Sequence, residues 1–222
     1  MRLNKYIAHA TGVSRREADE IIDSGRATVN GVKARLGEPV NDDDKIKVDD
    51  QPISLPQSFT YLLVNKPVGY ISTRKPQDET PTVYALLPEK FHRLKYVGRL
   101  DKDSSGLLLL TDDGDFAHQM THPRYVKTKV YELTVNSPLS KDAVEQLETG
   151  VELEDGVSKL HVLEKNARKL TVEMHEGRNR QIRRTIGHLG YDVLQLHRTK
   201  FGPYELNNLK SGEFIEVKKL EV

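Results

Sequence analysis

One carboxylate stands between two cations shortly before an apolar run. Asp101 lies between Arg99 and Lys102, and Leu107–Leu110 follow after a short polar segment. Residues two apart in an extended stretch face the same way, so Arg99 and Asp101 are expected to project together while Leu100 turns to the core. An arginine neighbour favours an ionised carboxylate, which suits a nucleophile or a base. The alternative for this local pattern is a turn or capping aspartate.

A second group of charges is purely cationic. Arg180, Arg183 and Arg184 fall on one face of a helix that is predicted over residues 180–189, before Gly190. Three arginines on one turn repel one another unless an anion is near. A phosphate or a catalytic carboxylate is therefore a natural partner for them, and a solvated helix face is the alternative.

Most of the chain around these charges has strand patterns. Two strands are predicted on either side of a turn at Asn65–Gly69, which is expected to expose Lys66, and three more over KVYELTV, KLTVEM and VLQLHR. A further helix is predicted at 141–148, after Ser140 as its N-cap. The mixture indicates an α+β domain with much antiparallel sheet.

Tyr131 belongs to the KVYELTV strand. It shares a strand face with Leu133 and Val135, so the pattern by itself predicts a tyrosine of the hydrophobic core.

The first 50 residues form a smaller unit. Ser14 and Glu17 fit a capping box at the start of a helix, and Asn30-Gly31 between two short apolar runs predicts a two-residue hairpin. We place the domains at residues 1–53 and 60–222, with the polar, proline-containing stretch 54–59 as the linker.

The small unit also carries a basic edge. Residues 1–35 contain seven Lys or Arg against four Asp or Glu. Arg15, Arg16 and Arg26 are among them, and an edge of this kind could meet a phosphate backbone. The alternative is an ordinary solvated face, because mixed charges are normal on solvated helices.

Composition excludes several classes of protein. The chain has no cysteine, so disulfides, thiolate nucleophiles and cysteine-bound metals are ruled out. No apolar run is long enough for a membrane span, and the opening MRLNKYIAHA lacks the apolar core of a signal peptide, so we expect a cytoplasmic protein. No nucleotide-binding motif is found, so no nucleotide cofactor is expected. His118 and His122 lack a third ligand pattern, and we predict no metal site. The net charge of +1 means that any nucleic-acid contact depends on local clusters.

Three stretches, in this order along the chain, resemble the RsuA-type ribosomal RNA pseudouridine synthases. They are Asn65-Lys66-Pro67-Val68-Gly69, Gly98-Arg99-Leu100-Asp101 with Ser104-Ser105-Gly106-Leu107, and Glu176-Gly177-Arg178 with Gln181-Ile182-Arg183-Arg184. The opening 50 residues resemble the RNA-binding domain named after ribosomal protein S-four. The resemblance implies a small N-terminal helix and sheet domain, followed by a catalytic domain with a mainly antiparallel mixed sheet and flanking helices.

The resemblance also implies an activity and its residues. The enzyme would detach uracil from its ribose, rotate it and rejoin it through ring carbon 5, with no cofactor. Asp101 matches the catalytic aspartate, which either attacks the ribose or takes its C2′ proton. Arg183 matches the basic residue paired with that aspartate, and Arg184 is the alternative partner for Asp101. Tyr131 matches the tyrosine that packs against the base, and Arg99 the arginine that fills the gap left by the flipped nucleotide.

The expected partner is ribosomal RNA or a ribosome-assembly intermediate, and the large subunit is favoured. We expect no membrane association and a monomeric enzyme. The RNA-binding residues expected in addition to Arg99 are Lys66, Arg15, Arg16, Arg26, Arg178, Arg180 and Arg184. Two other functions remain: an RNA-binding protein without chemistry, and an RNA glycosylase that releases free uracil. Asp101, Tyr131 and Arg183 together argue against the binding protein, and product identity separates the glycosylase from the isomerase.

Overall fold

The computed structural model describes residues 1–74 and 78–221, and the chain divides into two compact units. The smaller unit comprises Met1–Thr60 with Asp112–Gly114, and the larger one comprises Tyr61–Thr111 and Asp115–Val222. Within the described residues, no helix has both the length and the apolar character that crossing a membrane requires.

Helices and a small sheet make up the smaller unit. Within residues 1–60 the elements are α1 (Leu3–Thr11), α2 (Arg15–Asp23), β1 (Ala27–Val29), β2 (Val32–Lys33), β3 (Ile46–Val48) and β4 (Gln51–Pro52). The strands pair antiparallel in the order β2-β1-β3-β4. Leu3, Ile7, Ala18, Ile22 and Ile46 are buried between the helices and this sheet.

Local sequence signals set the boundaries of these elements. The capping box predicted at Ser14 and Glu17 is confirmed, because each side chain accepts a hydrogen bond from the backbone N–H of the other residue. The predicted hairpin is also confirmed: Asn30 and Gly31 join β1 to β2 with φ angles of 51° and 84°. A two-residue turn with both angles positive matches the twist of the paired strands.

A large mixed sheet forms the centre of the larger unit. Its strands are β5 (Tyr61–Lys66), β6 (Lys95–Val97), β7 (Ser105–Thr111), β8 (Lys129–Val135), β9 (Val151–Leu153), β10 (Gly156–Ser158), β11 (His161–Asn166), β12 (Lys169–Met174), β13 (Val193–Phe201), β14 (Tyr204–Glu205) and β15 (Phe214–Glu216). The described residues place nine of them in one sheet, with the path β11-β12-β8-β13-β7-β5-β15, β14 beside β13 and β6 beside β7. Strands β9 and β10 pair separately.

Three α-helices accompany this sheet in the described part of the chain: α3 (Gly114–Thr121), α4 (Lys141–Thr149) and α5 (Gln181–His188). The predicted helices correspond to α4 and α5, and Ser140 caps α4 by accepting from Ala143 N–H. Short 3-10 turns cover Val83–Leu86 and Glu89–Phe91. The predicted α+β class with a mainly antiparallel sheet is confirmed.

The centre of the large sheet contains a parallel pair. β13 pairs parallel with β7, and Arg198 lies opposite Gly106. Gly106 has a φ of 108°, and a Cβ built on it would lie 2.2 Å from the backbone oxygen of Arg198. Only glycine permits this conformation and this approach of two backbones. The position therefore couples the start of β7 to β13.

Two predictions about residues 66–73 are wrong. Residues 70–73 form no named strand in the described structure, because Ile71 makes only an isolated bridge with Thr82. Lys66, predicted to be exposed and to bind RNA, is fully buried. The cause is that β5 continues through Lys66 into its pairing with Gly106, and Nζ turns back to donate to the oxygens of Pro67 and Tyr70 at 2.9 and 2.8 Å.

The buried ammonium of Lys66 makes stability depend on pH. Loss of solvation lowers the pKa of Lys66 from 10.5 to about 8, against the opposing charges of Asp101 and Asp103. Between those two pKa values the unfolded chain binds more protons than the folded chain, so stability rises with pH.

We therefore expect the free energy of unfolding of the wild-type protein to rise between pH 7 and pH 9 by about 1 kcal/mol more than that of the Lys66→Met variant. Urea unfolding of both proteins at the two pH values measures this gain. A difference between the two proteins that stays constant with pH would contradict it.

Candidate active site

A cleft of about 520 Å³ lies in the larger unit. Its walls come from the loop between β6 and β7, the segment after α3, strands β8 and β13, and the segment from the end of β12 into α5. Among the lining residues are Arg99, Asp101, Tyr131, Arg180 and Arg198. The predicted carboxylate, tyrosine and part of the arginine cluster thus share one cleft.

The loop that carries Asp101 is fixed by hydrogen bonds on both sides. Ser72 Oγ donates to the oxygen of Leu100 at 3.0 Å and accepts from its N–H at 3.3 Å. Gly69 N–H donates to Lys102 oxygen at 2.7 Å, and Ser104 N–H donates to Asp101 oxygen at 3.1 Å. Leu100 is buried, as predicted, and the Asp101 side chain is 38% exposed. The backbone thus holds the carboxylate at the cleft wall, where a ligand can reach it.

The cation next to Asp101 is Arg180, at 3.9 Å between Nη1 and Oδ2. The predicted pair of Asp101 with Arg183 is not formed. Arg183 Nε lies 3.2 Å from Asp103 Oδ2, and its Nη2 donates to the backbone oxygen of Asp103 at 2.7 Å. Arg180 binds both carboxylate oxygens of Asp103, at 3.0 and 2.8 Å.

Asp103 therefore supplies the negative charge that Arg180 and Arg183 need at the start of α5. The hydrogen bond from Arg180 is the main reason that the pKa of Asp103 lies below its usual range, and the charge of Arg183 adds to it. Because Arg180 and Arg183 are three apart, their side chains reach the same carboxylate. Through Asp103 they hold the turn that carries Asp101, although neither reaches Asp101 with a hydrogen bond.

Arg178 and Arg184, which are predicted to bind RNA, make contacts within the protein. Arg184 binds both carboxylate oxygens of Asp155, at 3.0 and 2.7 Å, so it is not a substitute partner for Asp101. Arg178 donates to Asp155, to the oxygens of Gly156 and Val157, and to Glu176. These contacts fix the β9–β10 hairpin against the start of α5.

Tyr131 is 8% exposed and packs in the core, as its strand pattern predicts, and it also lines the cleft. Arg99 is exposed at the cleft, and no acceptor among residues 1–74 and 78–221 holds its guanidinium. A buried aromatic ring and a free exposed cation are suited to a base and to a nucleic-acid backbone, respectively.

The arginines of the smaller unit that are predicted to bind RNA differ in their exposure and pairing. Arg15 and Arg16 are exposed at the start of α2. Arg26, which is predicted as a phosphate contact, is paired with both carboxylate oxygens of Asp49, with Nε to Oδ1 at 2.7 Å. The hydrogen bond from Arg26 lowers the pKa of Asp49. Arg15 and Arg16 are thus the better placed of the predicted cations.

Sequence reasoning missed two cations in the cleft. Lys129 donates from Nζ to the oxygen of Glu176 at 2.9 Å, and burial lowers the pKa of Lys129 to about 8. Arg198 is buried at the cleft and lies two residues after the buried Leu196. That spacing puts Arg198 on the core face of its strand, and this is the signal that identifies it.

Comparison with known proteins agrees with this arrangement. The family model for RNA pseudouridylate synthase matches residues 60–188, and the S4 domain model matches residues 1–53. The ribosomal large subunit pseudouridine synthase B of Bacillus subtilis is 37% identical, covering all of this chain and 93% of its own length. The ribosomal small subunit pseudouridine synthase A of Yersinia pestis is 33% identical, covering 96% of this chain and 93% of its own length.

A crystal structure of a pseudouridylate synthase has the same fold. It aligns with a TM-score of 0.69 at 30% identity, over 98% of this chain and 96% of its own. The resemblance noted in the sequence is thereby confirmed over nearly the whole chain. The protein belongs to the RNA pseudouridylate synthase family and carries an S4 domain over residues 1–53.

Proposed function

We propose that this protein converts one uridine of large-subunit ribosomal RNA to pseudouridine, with Asp101 as its catalytic carboxylate and no cofactor. The observation that carries the proposal is the placement of Asp101. Its carboxylate is partly exposed in a cleft that also contains Tyr131, on a loop that is hydrogen-bonded on both sides. A family model for RNA pseudouridylate synthases covers this region.

The cleft supports a sequence of steps on a flipped nucleotide. A uridine within an RNA helix must leave its stack, at a cost of a few kcal/mol. Arg99, exposed and without a partner in the described chain, fills the gap that the base leaves. The base then packs on Tyr131, and Asp101 attacks the ribose or takes its C2′ proton. Arg183 acts as a positioning residue, because it reaches the Asp101 turn through Asp103.

Relatives of both subunit types resemble this chain, and the choice of the large subunit rests on two observations. The large-subunit enzyme of Bacillus subtilis shares 37% identity with the chain, against 33% for the small-subunit enzyme of Yersinia pestis. The EGRNRQIRR segment also looks more like the large-subunit members. We propose further that the protein acts in the cytoplasm, as expected for an enzyme that resembles bacterial ribosomal RNA pseudouridine synthases, and that it acts as a monomer.

Nucleoside analysis tests the proposal. The wild-type protein is incubated with large-subunit and small-subunit ribosomal RNA, both free and as assembly intermediates, and every modified position is mapped. Pseudouridine in large-subunit RNA supports the proposal, and pseudouridine in small-subunit RNA alone overturns the subunit assignment. Release of free uracil would indicate a glycosylase, and tight binding without any product would indicate a binding protein.

The smaller unit is expected to contribute nonspecific RNA affinity through Arg15 and Arg16. Replacing both by Ala should make the negative slope of log affinity against log salt shallower by about 1 to 2, because each phosphate contact releases a counterion. Filter binding at several salt concentrations measures the slope. The matched control is Arg26→Ala, whose guanidinium is paired with Asp49 and should change the slope less. An unchanged slope in the double variant would assign Arg15 and Arg16 to a solvated face.

A further inference from the structure

Arg198 is a buried cation at the cleft whose hydrogen bonds are incomplete. The residue is 2% exposed and lies on β13. Its Nε donates to the oxygen of Leu107 at 2.8 Å, whereas its Nη2 is buried with no acceptor among residues 1–74 and 78–221. A buried donor without an acceptor is costly. Because Arg198 lines the cleft, a ligand bound there can supply the missing acceptor.

The charge of Arg198 is also uncompensated. No carboxylate within the described residues forms an ion pair with it, and the neighbouring charges Lys66 and Lys129 are cations. The ring of Phe201, 4.8 Å from the guanidinium carbon, contributes a cation–π contact. A buried, unpaired guanidinium is costly by itself and becomes favourable when a negative charge lies next to it.

The strand register places Arg198 beside Tyr131. The two residues are direct partners in the antiparallel pairing of β13 and β8, so their side chains point to the same face of the sheet. The register shifts between Arg198 and Lys200, and such an irregularity re-aims side chains locally. Both residues line the cleft. A base that rests on Tyr131 therefore has the guanidinium of Arg198 next to it.

We propose that a terminal nitrogen of Arg198 donates a hydrogen bond to a carbonyl oxygen of the flipped uracil and stabilises the negative charge of the base when it leaves the ribose. The inference rests on the proposed function. A phosphate is the less suitable acceptor, because phosphates are strongly hydrated and the exposed Arg99 is available to them. Arg198, by contrast, is buried and lines the cleft beside Phe201 and Tyr131.

The chemistry of the isomerisation creates the charge that Arg198 would meet. Whether Asp101 attacks C1′ or takes the C2′ proton, the C1′–N1 bond breaks and its electron pair leaves with uracil. The charge then spreads over N1, O2 and O4. It disappears when C5 bonds to C1′, as the Asp101 carboxylate leaves C1′ on the first route or the proton returns from Asp101 to C2′ on the second. C5 then loses its proton and N1 gains one. A donor fixed at O2 or O4 is thus most useful between these two bond changes.

The test combines protein variants with altered carbonyl oxygens in the RNA. Substrates carry uridine, 2-thiouridine or 4-thiouridine at the target position, since sulfur is a weaker acceptor than oxygen. Single-turnover rates are measured for the wild-type protein, Arg198→Met, Arg198→Lys and the control Arg168→Met. Arg168 is exposed between β11 and β12, outside the cleft lining.

We expect Arg198→Met to react about 100-fold more slowly on uridine, and Arg168→Met to react at the wild-type rate. In the wild-type protein, one of the two thio substrates should react about tenfold more slowly than uridine. That penalty should disappear in Arg198→Met, because the contact is already absent. A residue that only supports the sheet would leave the penalty unchanged.

Thermal melting and RNA affinity identify variants that misfold. If Arg198→Met does not fold, Arg198→Lys takes its place, since it keeps the charge but loses the planar fork. If the rate loss on the thio substrates is the same in the wild-type protein and in the folded variant, the role of Arg198 is overturned while the proposed function stands. A wild-type protein that makes no pseudouridine on any RNA would overturn the proposed function, and the role of Arg198 with it.

Discussion

Replacement of Asp101 by Asn is expected to abolish pseudouridine formation and to leave RNA binding within about twofold of the wild type. The amide keeps the size of the side chain and its loop, which is held through the backbone of Leu100, Lys102 and Ser104. It can neither attack the ribose nor accept its proton. Loss of a group that acts directly on the substrate lowers rates by at least about 10⁴-fold. Single-turnover product analysis and filter binding measure the two effects.

Two further carboxylate changes show whether the loss is specific. Asp142→Asn changes an exposed residue at the start of α4 and should have the wild-type rate. Asp103→Asn should slow the reaction by about 10- to 100-fold, because Arg180 and Arg183 lose the ion pair that supports the turn. An Asp101→Asn protein with near-normal activity beside an inactive Asp103→Asn protein would transfer the catalytic role to Asp103.

Gly106→Ala is expected to lower the free energy of unfolding by more than about 3 kcal/mol. The new methyl group would lie 2.2 Å from the backbone oxygen and 2.5 Å from the backbone nitrogen of Arg198, and a backbone cannot turn aside as a flexible side chain can. Alanine would also have to keep a φ of 108°. Overpacking and the strained backbone each cost about 1 to 3 kcal/mol. Urea unfolding measures the change.

The matched control is Gly187→Ala in α5, where a Cβ would meet no atom within 4 Å. This variant should gain about 0.5 kcal/mol, because alanine loses less conformational freedom in a helix than glycine does. A Gly106→Ala protein as stable as the wild type would show that β7 and β13 do not approach as closely as the structure places them.

Features that depend on neighbouring residues were predictable from the sequence. The capping box at Ser14, the Asn30-Gly31 turn and the Ser140 cap each need only a few consecutive residues, and all three are confirmed. The alternation of KVYELTV likewise predicts the buried position of Tyr131, since every second residue of a strand faces the core.

Features that depend on residues distant in the chain were not predictable from the sequence. The pairing of Arg183 with Asp103 rather than Asp101 is decided by where α5 meets a loop 80 residues earlier in the chain. The burial of Lys66 depends on the length of β5 and on its pairing with β7, and a local turn pattern contains neither. The pairing of β7 with β13, which places Arg198 in the cleft, is also non-local.

The parallel pairing of β7 with β13 has a consequence for the order in which the chain folds during synthesis. The strand that follows the Asp101 loop lacks its neighbour on one side until Val193–Phe201 have been made. The strands of the smaller unit lie within Ala27–Pro52 and need no later residue for their pairing. Because distant contacts form after local ones, the nascent chain acquires its RNA-binding unit first. The cleft is completed only after Val193–Phe201 have been made.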